Sequence, residues 1–219
     1  MSTDLVVLPG GTPRERNKGM IIGLLGPIGS GKTEAARHLA QAYGLEVLSV
    51  ADPIRHMLKA LGVPEDQFRG RNKDRPQGWL GNKTTRHLME TLGQWGRDQS
   101  ATLWSGLLDA RLASRELGRV GVSESDLNTA TDVGDVREAP LFKTNGVVID
   151  DIRLPLEAHT VRVRGGKLWR IDRKLTVGQS HIERAASMID ADVTITNSGT
   201  VSDLTRALDE AWQDANEVV

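Results

Sequence analysis

Short apolar runs alternate along this chain with segments in which apolar residues recur every three or four positions. The runs predict strands at residues 20–25, 45–50, 147–149, 167–171 and 193–196. The helical spacing predicts helices at residues 33–43, 52–61, 84–96, 101–117, 156–163 and 200–212. Regular alternation of strand and helix is typical of a parallel sheet that helices cover on both faces. The sequence therefore predicts a three-layer α/β fold around a five-stranded parallel sheet.

Polar, glycine-rich stretches separate these elements and indicate how the chain is divided. Residues 1–19 predict a flexible N-terminal tail, and residues 20–219 a single domain. Within the domain, residues 65–83 predict a mobile connection. Residues 118–146 predict a mobile insertion, because they lack periodicity and carry five acidic against three basic side chains. A glycine-containing segment at 173–184 predicts a short lid.

The composition narrows the class of protein without naming a function. Of the 219 residues, 38% are hydrophobic and 26% charged, which is ordinary for a globular domain. A formal net charge of -1 favours neither a nucleic-acid partner nor an acidic membrane surface. The lack of cysteine in the sequence excludes disulfides, thiolate zinc sites and cysteine nucleophiles. The apolar run Leu5–Leu8 is too short for a signal peptide, so we expect a cytoplasmic protein.

The strongest functional signal joins the first predicted strand to the first predicted helix. The stretch GPIGSGKT, residues 26–33, fits the pattern G-x-x-x-x-G-K-[ST] at every fixed position. Glycines let backbone amides form a nest for phosphate oxygens, and the following helix adds its positive end. Lys32 is expected at the β- and γ-phosphates of ATP, and the Thr33 hydroxyl at Mg²⁺. The predicted ATP-binding residues are Pro27, Ile28, Gly29, Ser30, Gly31, Lys32 and Thr33.

The helix predicted over residues 84–96 carries a candidate phosphate-binding face. At about 100° per residue, Arg86, Glu90, Gly93 and Arg97 lie within roughly 60° of one another. The other face, with Leu88, Met89, Leu92 and Trp95, is predicted to be core. Guanidinium forks match phosphate oxygens, so the polar face is either a nucleotide-binding surface or a solvated face with an Arg86–Glu90 pair.

Carboxylates follow two of the predicted strands. Asp150 and Asp151 come directly after the third strand, where ligands bind in open α/β sheets, and Arg153 could approach a transferring phosphoryl group. One of the aspartates is expected to orient Mg²⁺, with Asp150 acting through a water. The alternative is a strand-end turn with solvated charges. Asp52, after the second strand, is either a site residue or a helix N-cap.

Three further groups leave alternatives open at this stage. Arg173, beside the flexible 173–184 segment, either belongs to a lid over the phosphates or only solubilises the surface. Trp104 either packs in the core or stacks on a base. The histidines show no metal-ligand spacing and are interpreted as structural or surface residues.

Together these stretches resemble the phage-type deoxynucleoside monophosphate kinases, in the P-loop nucleoside monophosphate kinase group. The resemblance covers most of residues 20–215 and rests on GPIGSGKTEAA, SVADPIR, TTRHLMETLGQWGRD, VVIDDIRLPLEA, GGKLWRIDR and DADVTITNSGTVSDL. The chain departs from the family pattern at Glu90, where a glutamine is expected, and at Asp150, an additional carboxylate. The 118–146 insertion is also extra.

The resemblance implies a P-loop kinase fold that transfers the γ-phosphoryl group of ATP to a deoxynucleoside 5′-monophosphate. Residues of about 53–117 would form the acceptor-binding helices. The implied acceptor contacts are Asp52, Arg55, Arg86, Glu90, Arg97, Trp104, Asp151 and Arg153. The implied catalytic residues are Lys32, Asp151, Arg153 and Arg173. ATP and Mg²⁺ are the implied cofactors.

Other activities share the glycine loop. A kinase for another small phosphorylated metabolite, such as dephospho-coenzyme A, would need a different acceptor pocket. A P-loop NTPase without a small acceptor, working as a switch or on nucleic acid, is disfavoured by the near-neutral charge and by the lack of an N-K-x-D sequence. We therefore expect small-molecule nucleotide partners and no nucleic acid or membrane. The chain would act as a monomer or homodimer in the cytoplasm, that of the host if phage-encoded.

Overall fold

The computed structural model describes residues 19–68, 70–120, 145–173 and 181–217, without the side chains of 116–120, 181–183 and 217. The helices are α1 Lys32–Tyr43, α2 Asp52–Ala60, α3 Thr85–Gln99, α4 Leu103–Val120, α5 Pro155–Val163, α6 His181–Ser187 and α7 Val201–Glu217. The strands are β1 Met20–Leu25, β2 Leu45–Ser49, β3 Pro76–Gln77, β4 Lys83–Thr84, β5 Gly146–Asp150, β6 Lys167–Asp172 and β7 Val193–Thr196.

Five of the strands form one parallel sheet in the order β2-β5-β1-β6-β7. The alternation of side chains along β1 explains the layers on either side. Ile22 and Leu24 join a core with α1 and α7, whereas Ile21 and Leu25 join a second core with α4 and α5. The predicted three-layer α/β class is thus confirmed, and the architecture is consistent with a P-loop kinase fold. The five predicted strands agree with the observed bounds to within one residue at each end.

A third core lies beyond the carboxyl edge of the sheet. It contains Ile54 and Leu58 of α2, Phe68 and Trp104, with residues of α3 packed against them. The prediction of a mobile connection at 65–83 missed this packing. The described part of that segment contains 3₁₀ helices at Glu65–Phe68, Gly70–Asp74 and Gly78–Leu80, and its strand β3 pairs antiparallel with β4.

The predicted core face of α3 is confirmed at Leu88, Met89 and Leu92, which pack against the third core, and is wrong at one residue. Trp95, predicted to be core, is 48% exposed, whereas Gly93 and Gly96 are buried. The ring of Trp104 from α4 occupies the space at Gly96, since a Cβ placed there would lie 2.2 Å from its Cζ2 atom. The large residue at this interface therefore comes from α4, and α3 contributes Gly96, which leaves room for it.

Several predicted segments lie mostly outside the described residues. They are the tail at 1–19, the insertion at 118–146 and the lid at 173–184; within them, α4 continues to Val120 and α6 begins at His181. None of the helices formed by the described ranges of the chain combines the length and the apolar character needed to cross a membrane.

Candidate functional site

Three neighbouring strands end at the same edge of the sheet and bring the candidate residues together. Strands β2, β5 and β1 lie side by side and run parallel, so the loops after Ser49, Asp150 and Leu25 meet there. Ligands of open α/β sheets bind beyond the carboxyl ends of the strands. The glycine loop, the two aspartates after β5 and the start of α2 therefore form one site.

The glycine loop after β1 depends on residues without a side chain. Gly26, Gly29 and Gly31 have φ of 142°, 81° and 104°, in the region that favours glycine. A Cβ at Gly26 would lie 2.4 Å from the carbonyl oxygen of Ile171. Because Gly31 precedes α1 and has no side chain to cap it, the amides of the first helical turn are available to an anion.

Two polar residues complete the loop. The Asn197 side chain, from the segment after β7, donates to the Ser30 carbonyl at 2.8 Å and holds the loop against the sheet. The Ser30 hydroxyl is buried and has no hydrogen-bond partner among the described residues. An unpaired buried hydroxyl costs free energy. The loop thus keeps a polar group ready for a ligand oxygen.

Lys32 connects the glycine loop to the end of β5. Its ammonium donates to the carbonyl oxygens of Gly26 at 2.7 Å and Pro27 at 2.9 Å, and lies 3.3 Å from the Asp151 carboxylate. The same carboxylate accepts from the Arg153 guanidinium at 2.8 Å. Asp151 has φ of 67°, a left-handed conformation that is uncommon outside glycine and is found at functional sites. A single carboxylate thus joins two cations from different elements.

The pKa shifts of this group follow from burial and charge. Burial lowers the pKa of Lys32, although Asp151 opposes the shift. Burial raises the pKa of Asp151, but Arg153 and Lys32 outweigh it and hold the pKa below its usual value. The Asp151 carboxylate is therefore ionised at neutral pH. A negative charge fixed between two cations keeps both side chains in place.

A cleft opens beside this group and reaches the α3 face. It is lined by polar side chains of both signs over an apolar floor of Val50, Ile54, Met89, Gly93 and Trp104. The charged residues lining it are Arg55, Lys73, Arg86, Glu90, Arg97, Asp151, Arg153 and Glu157. Cations thus outnumber carboxylates among the side chains that line the cleft. An anionic ligand with an apolar part fits this distribution.

The cleft contains most of the predicted acceptor contacts. Arg86 and Arg97 lie on the predicted face of α3; Arg86 forms a bidentate pair with Asp74, and Arg97 donates to Gln94 at 3.0 Å. Trp104 is only 6% exposed, and its ring nitrogen donates to the Gly93 carbonyl at 2.9 Å. Trp104 therefore packs in the third core and also lines the cleft.

Asp52 does not itself line the cleft, and its contact with an acceptor stays a prediction. Its carboxylate accepts from the Ser49 amide at 2.9 Å, from Arg55 at 2.9 Å and from Arg111 at 2.7 Å. It does not act as an N-cap either, because Ala51 precedes α2 and the amide that Asp52 binds lies before the helix. Asp52 thus orients Arg55, which does line the cleft.

We expect Asp52→Asn to weaken folding by about 2 kcal/mol at pH 7, because charged hydrogen bonds are lost at a mostly buried site. Partial burial raises the pKa of Asp52, but Arg111, the Ser49 amide and Arg55 together lower it below the usual value. A carboxyl group whose pKa is lower in the folded than in the unfolded chain stabilises the fold at a pH above its unfolded pKa of about 4. This stabilisation is lost as the pH falls through the folded pKa. Urea denaturation should show that the difference in the free energy of unfolding between variant and wild type becomes smaller below about pH 4.

The matched control for this variant is Asp109→Asn. Asp109 also pairs with an arginine, Arg164, at 2.8 Å, but its side chain is 46% exposed against 26% for Asp52. Exposed pairs contribute roughly 0–1 kcal/mol, so the control should stay close to wild type. Equal losses in the two variants, or a gap for Asp52→Asn that is unchanged at low pH, would contradict the prediction.

Three other predicted residues lie apart from the cleft. Thr33 is exposed in the first turn of α1. Asp150 is turned toward Ser49, burial raises its pKa, and its Oδ1 atom has no partner among the described residues. Arg173 follows β6 and is exposed. Thr33 follows Lys32 and Asp150 precedes Asp151, so each adjoins a residue of the site along the chain, whereas Arg173 does not line the cleft.

Sequence reasoning missed two charged residues of the cleft. Glu157 is 6% exposed and its carboxylate accepts from the amides of Arg153 and Leu154 at 2.8 and 3.0 Å, which fixes the backbone that carries Arg153. Burial raises the pKa of Glu157, against these two amide bonds. The position of Glu157 in the PLEA stretch after Asp151 could have identified it from the sequence as a cleft residue. Lys73 lies in the segment predicted to be a connection, and no sequence pattern marks it.

Comparison with protein-family models and with curated proteins finds no match. Among solved structures, the crystal structure of TT1252 from Thermus thermophilus is similar to the chain at 18% sequence identity with a TM-score of 0.39. The similarity covers 89% of this chain and 97% of that one. A similarity at this score supports no conclusion about the site.

Proposed function

We propose that this protein transfers the γ-phosphoryl group of ATP to a deoxynucleoside 5′-monophosphate, giving ADP and a deoxynucleoside diphosphate. The observation that carries the proposal is the position of Asp151. It lies 3.3 Å from the Lys32 ammonium of the glycine loop and also lines the cation-rich cleft. The loop for a triphosphate and a pocket for a second anion therefore share one wall, as direct transfer between two nucleotides requires.

The loop would bind the triphosphate through its amides and Lys32. On this proposal the Lys32 ammonium exchanges its bonds to the Gly26 and Pro27 carbonyls for phosphate oxygens and stays near Asp151. Arg153, held by the same carboxylate, would lie where negative charge spreads over the transferring group. The acceptor phosphate is already ionised at pH 7, so the reaction needs no strong general base.

The residues next to Lys32 and Asp151 along the chain carry oxygen donors that would suit Mg²⁺. The Thr33 hydroxyl and the Asp150 carboxylate, with its unpartnered Oδ1 atom, are ligands that this cation prefers, and one or two protein oxygens suffice when phosphates supply others. The Thr33 hydroxyl, and Asp150 through a water, would hold an Mg²⁺ bound together with ATP, and this cation would supply neutralisation of the phosphate charge.

The cleft would hold the acceptor nucleotide between its apolar floor and its cations. Met89, Gly93 and Ile54 line the cleft and would contact the base or sugar, while Arg86 and Arg153 in the same lining would contact the phosphate. Water must be excluded during transfer, or ATP hydrolysis competes. A small-molecule partner and a cytoplasmic location as monomer or homodimer remain part of this proposal.

A coupled ADP-release assay tests the proposal. We expect ADP to form at least about tenfold faster with dAMP, dCMP, dGMP or dTMP than with ATP alone, because acceptor binding completes the site. Dephospho-coenzyme A and DNA serve as control additions. Equal ATP turnover with and without every mononucleotide, or stimulation by a control addition alone, would overturn the proposed function.

A further inference from the structure

Among the cations that line the cleft, Lys73 has the fewest hydrogen-bond and ion-pair partners in the described residues. It lies on the 3₁₀ helix Gly70–Asp74 and lines the cleft together with Arg86 and Arg153. Each of these arginines has a carboxylate partner, Asp74 and Asp151 respectively. No hydrogen bond or ion pair joins the Lys73 ammonium to any residue within the described parts of the chain.

The surroundings of Lys73 are unfavourable for an ammonium without a ligand. The side chain is half-buried, and burial together with the Arg86 charge lowers its pKa, while Asp151 and Asp74 oppose the shift. Bringing cations together in a partly desolvated pocket costs free energy, and the nearby carboxylates already bind the arginines. An anion that enters the cleft would relieve this repulsion.

Lys59 shows what a lysine of this region does when its role is only structural. It lies on α2, its side chain is 40% exposed, and it forms an ion pair with Glu65 at the start of the first 3₁₀ helix. Lys59 does not line the cleft. Lys73 differs in each respect, being less exposed, without such a partner and part of the cleft wall.

We propose that Lys73 binds the phosphate of the acceptor nucleotide, in a cradle completed by Arg86 and Arg153. This inference rests on the proposed function and assigns a role to the 3₁₀ segment between α2 and α3. A phosphate monoester carries two negative charges on oxygens spread around phosphorus. Planar guanidinium forks can take two of its edges, and a compact ammonium can take a remaining oxygen.

Kinetics of Lys73→Met provide the first test. We expect KM for the acceptor nucleotide to rise about 10- to 100-fold, because a charged hydrogen bond is lost, with KM for ATP within about twofold of wild type. Lys73→Arg should recover most of the affinity. Lys59→Met is the matched control and should leave both KM values unchanged, and thermal unfolding should show all variants folded. An unchanged acceptor KM in folded Lys73→Met overturns the inference.

A second test does not depend on turnover. Wild-type protein is acylated with an amine reagent, and labelling of Lys73 and Lys59 is quantified by peptide mass spectrometry with and without a deoxynucleoside monophosphate or inorganic phosphate. We expect both additions to protect Lys73 several-fold and to leave Lys59 unchanged. Equal labelling of Lys73 in all samples overturns the inference.

The two tests separate this inference from the proposed function. A wild type that uses mononucleotides while Lys73 is neither protected nor needed for acceptor binding loses only the Lys73 assignment. A wild type that uses no mononucleotide loses the proposed function, and labelling alone then decides whether Lys73 belongs to an anion site: protection by inorganic phosphate supports the site, and equal labelling overturns it.

Discussion

Replacing Lys32 by methionine should lower kcat about 10³-fold, because a preorganised cation is removed from the place where transition-state charge develops. The wild-type ammonium is held by the Gly26 and Pro27 carbonyls at 2.7 and 2.9 Å and by Asp151 at 3.3 Å. Methionine fills a similar volume without the charge, so the loop should keep its shape. The loss is expected in the chemical step rather than in acceptor binding.

The measurement is ADP release at saturating ATP and acceptor, with circular dichroism and thermal unfolding to establish that the variant is folded. Lys32 is 8% exposed. When its ammonium is removed, the Asp151 carboxylate keeps Arg153 as its charged partner. The matched control is Lys59→Met, which removes an exposed lysine that pairs with Glu65 outside the cleft. A Lys32→Met variant with a kcat within threefold of wild type would remove Lys32 from the mechanism.

The parts of the molecule that could be predicted are those in which one local pattern has one physical meaning. The glycines of residues 26–31 are required by backbone conformation, with φ of 142°, 81° and 104° at Gly26, Gly29 and Gly31. The buried strands read as continuous apolar runs because β1 is covered on both faces. The carboxylates after β5 could be assigned to the site because ligands of open α/β sheets bind at the carboxyl edge of the sheet.

The cleft was only partly predictable because its residues come from segments without periodicity. Lys73 and Asp74 lie on a short 3₁₀ helix in a polar stretch, and only the folded chain brings them against Arg86 of α3. Asp52 was placed at the correct edge, but its direction depends on Arg111 of α4, which is distant in sequence. Long-range pairing of this kind leaves no local pattern to read.

The α3–α4 contact shows a different limit. Hydrophobic periodicity identifies large apolar residues, and it assigned Trp95 to the core because that residue falls in step with Leu88 and Leu92. The contact instead uses Gly96 on α3 to admit the ring of Trp104, while the Gly93 carbonyl accepts a hydrogen bond from the ring nitrogen. Glycine carries no hydrophobic signal, so a close approach of two helices through glycines is invisible to the pattern.

This contact leads to the largest stability effect that we expect from a single methyl group. A Cβ at Gly96 would lie 2.2, 2.4 and 2.7 Å from the Cζ2, Cε2 and Nε1 atoms of Trp104. The ring cannot easily move, because it is packed against Ile54 and Phe68 and its nitrogen bonds to the Gly93 carbonyl. Gly96→Ala should therefore destabilise the fold by about 2 kcal/mol, overpacking outweighing the gain in helix propensity.

Gly93→Ala provides the matched control on the same helix and separates packing from acceptor binding. A Cβ at Gly93 would meet Arg97 at 3.5 Å and Ile54 at 3.7 Å, which are ordinary contacts. Its stability should equal that of wild type or exceed it by up to about 1 kcal/mol through helix propensity.

The new methyl group of Gly93→Ala lies between two residues that line the cleft, so the acceptor KM should rise while KM for ATP stays unchanged. Urea denaturation and steady-state kinetics on both variants measure these effects. A Gly96→Ala variant as stable as Gly93→Ala would show that the Trp104 ring yields, and equal losses in both variants would show that the loss does not come from the ring.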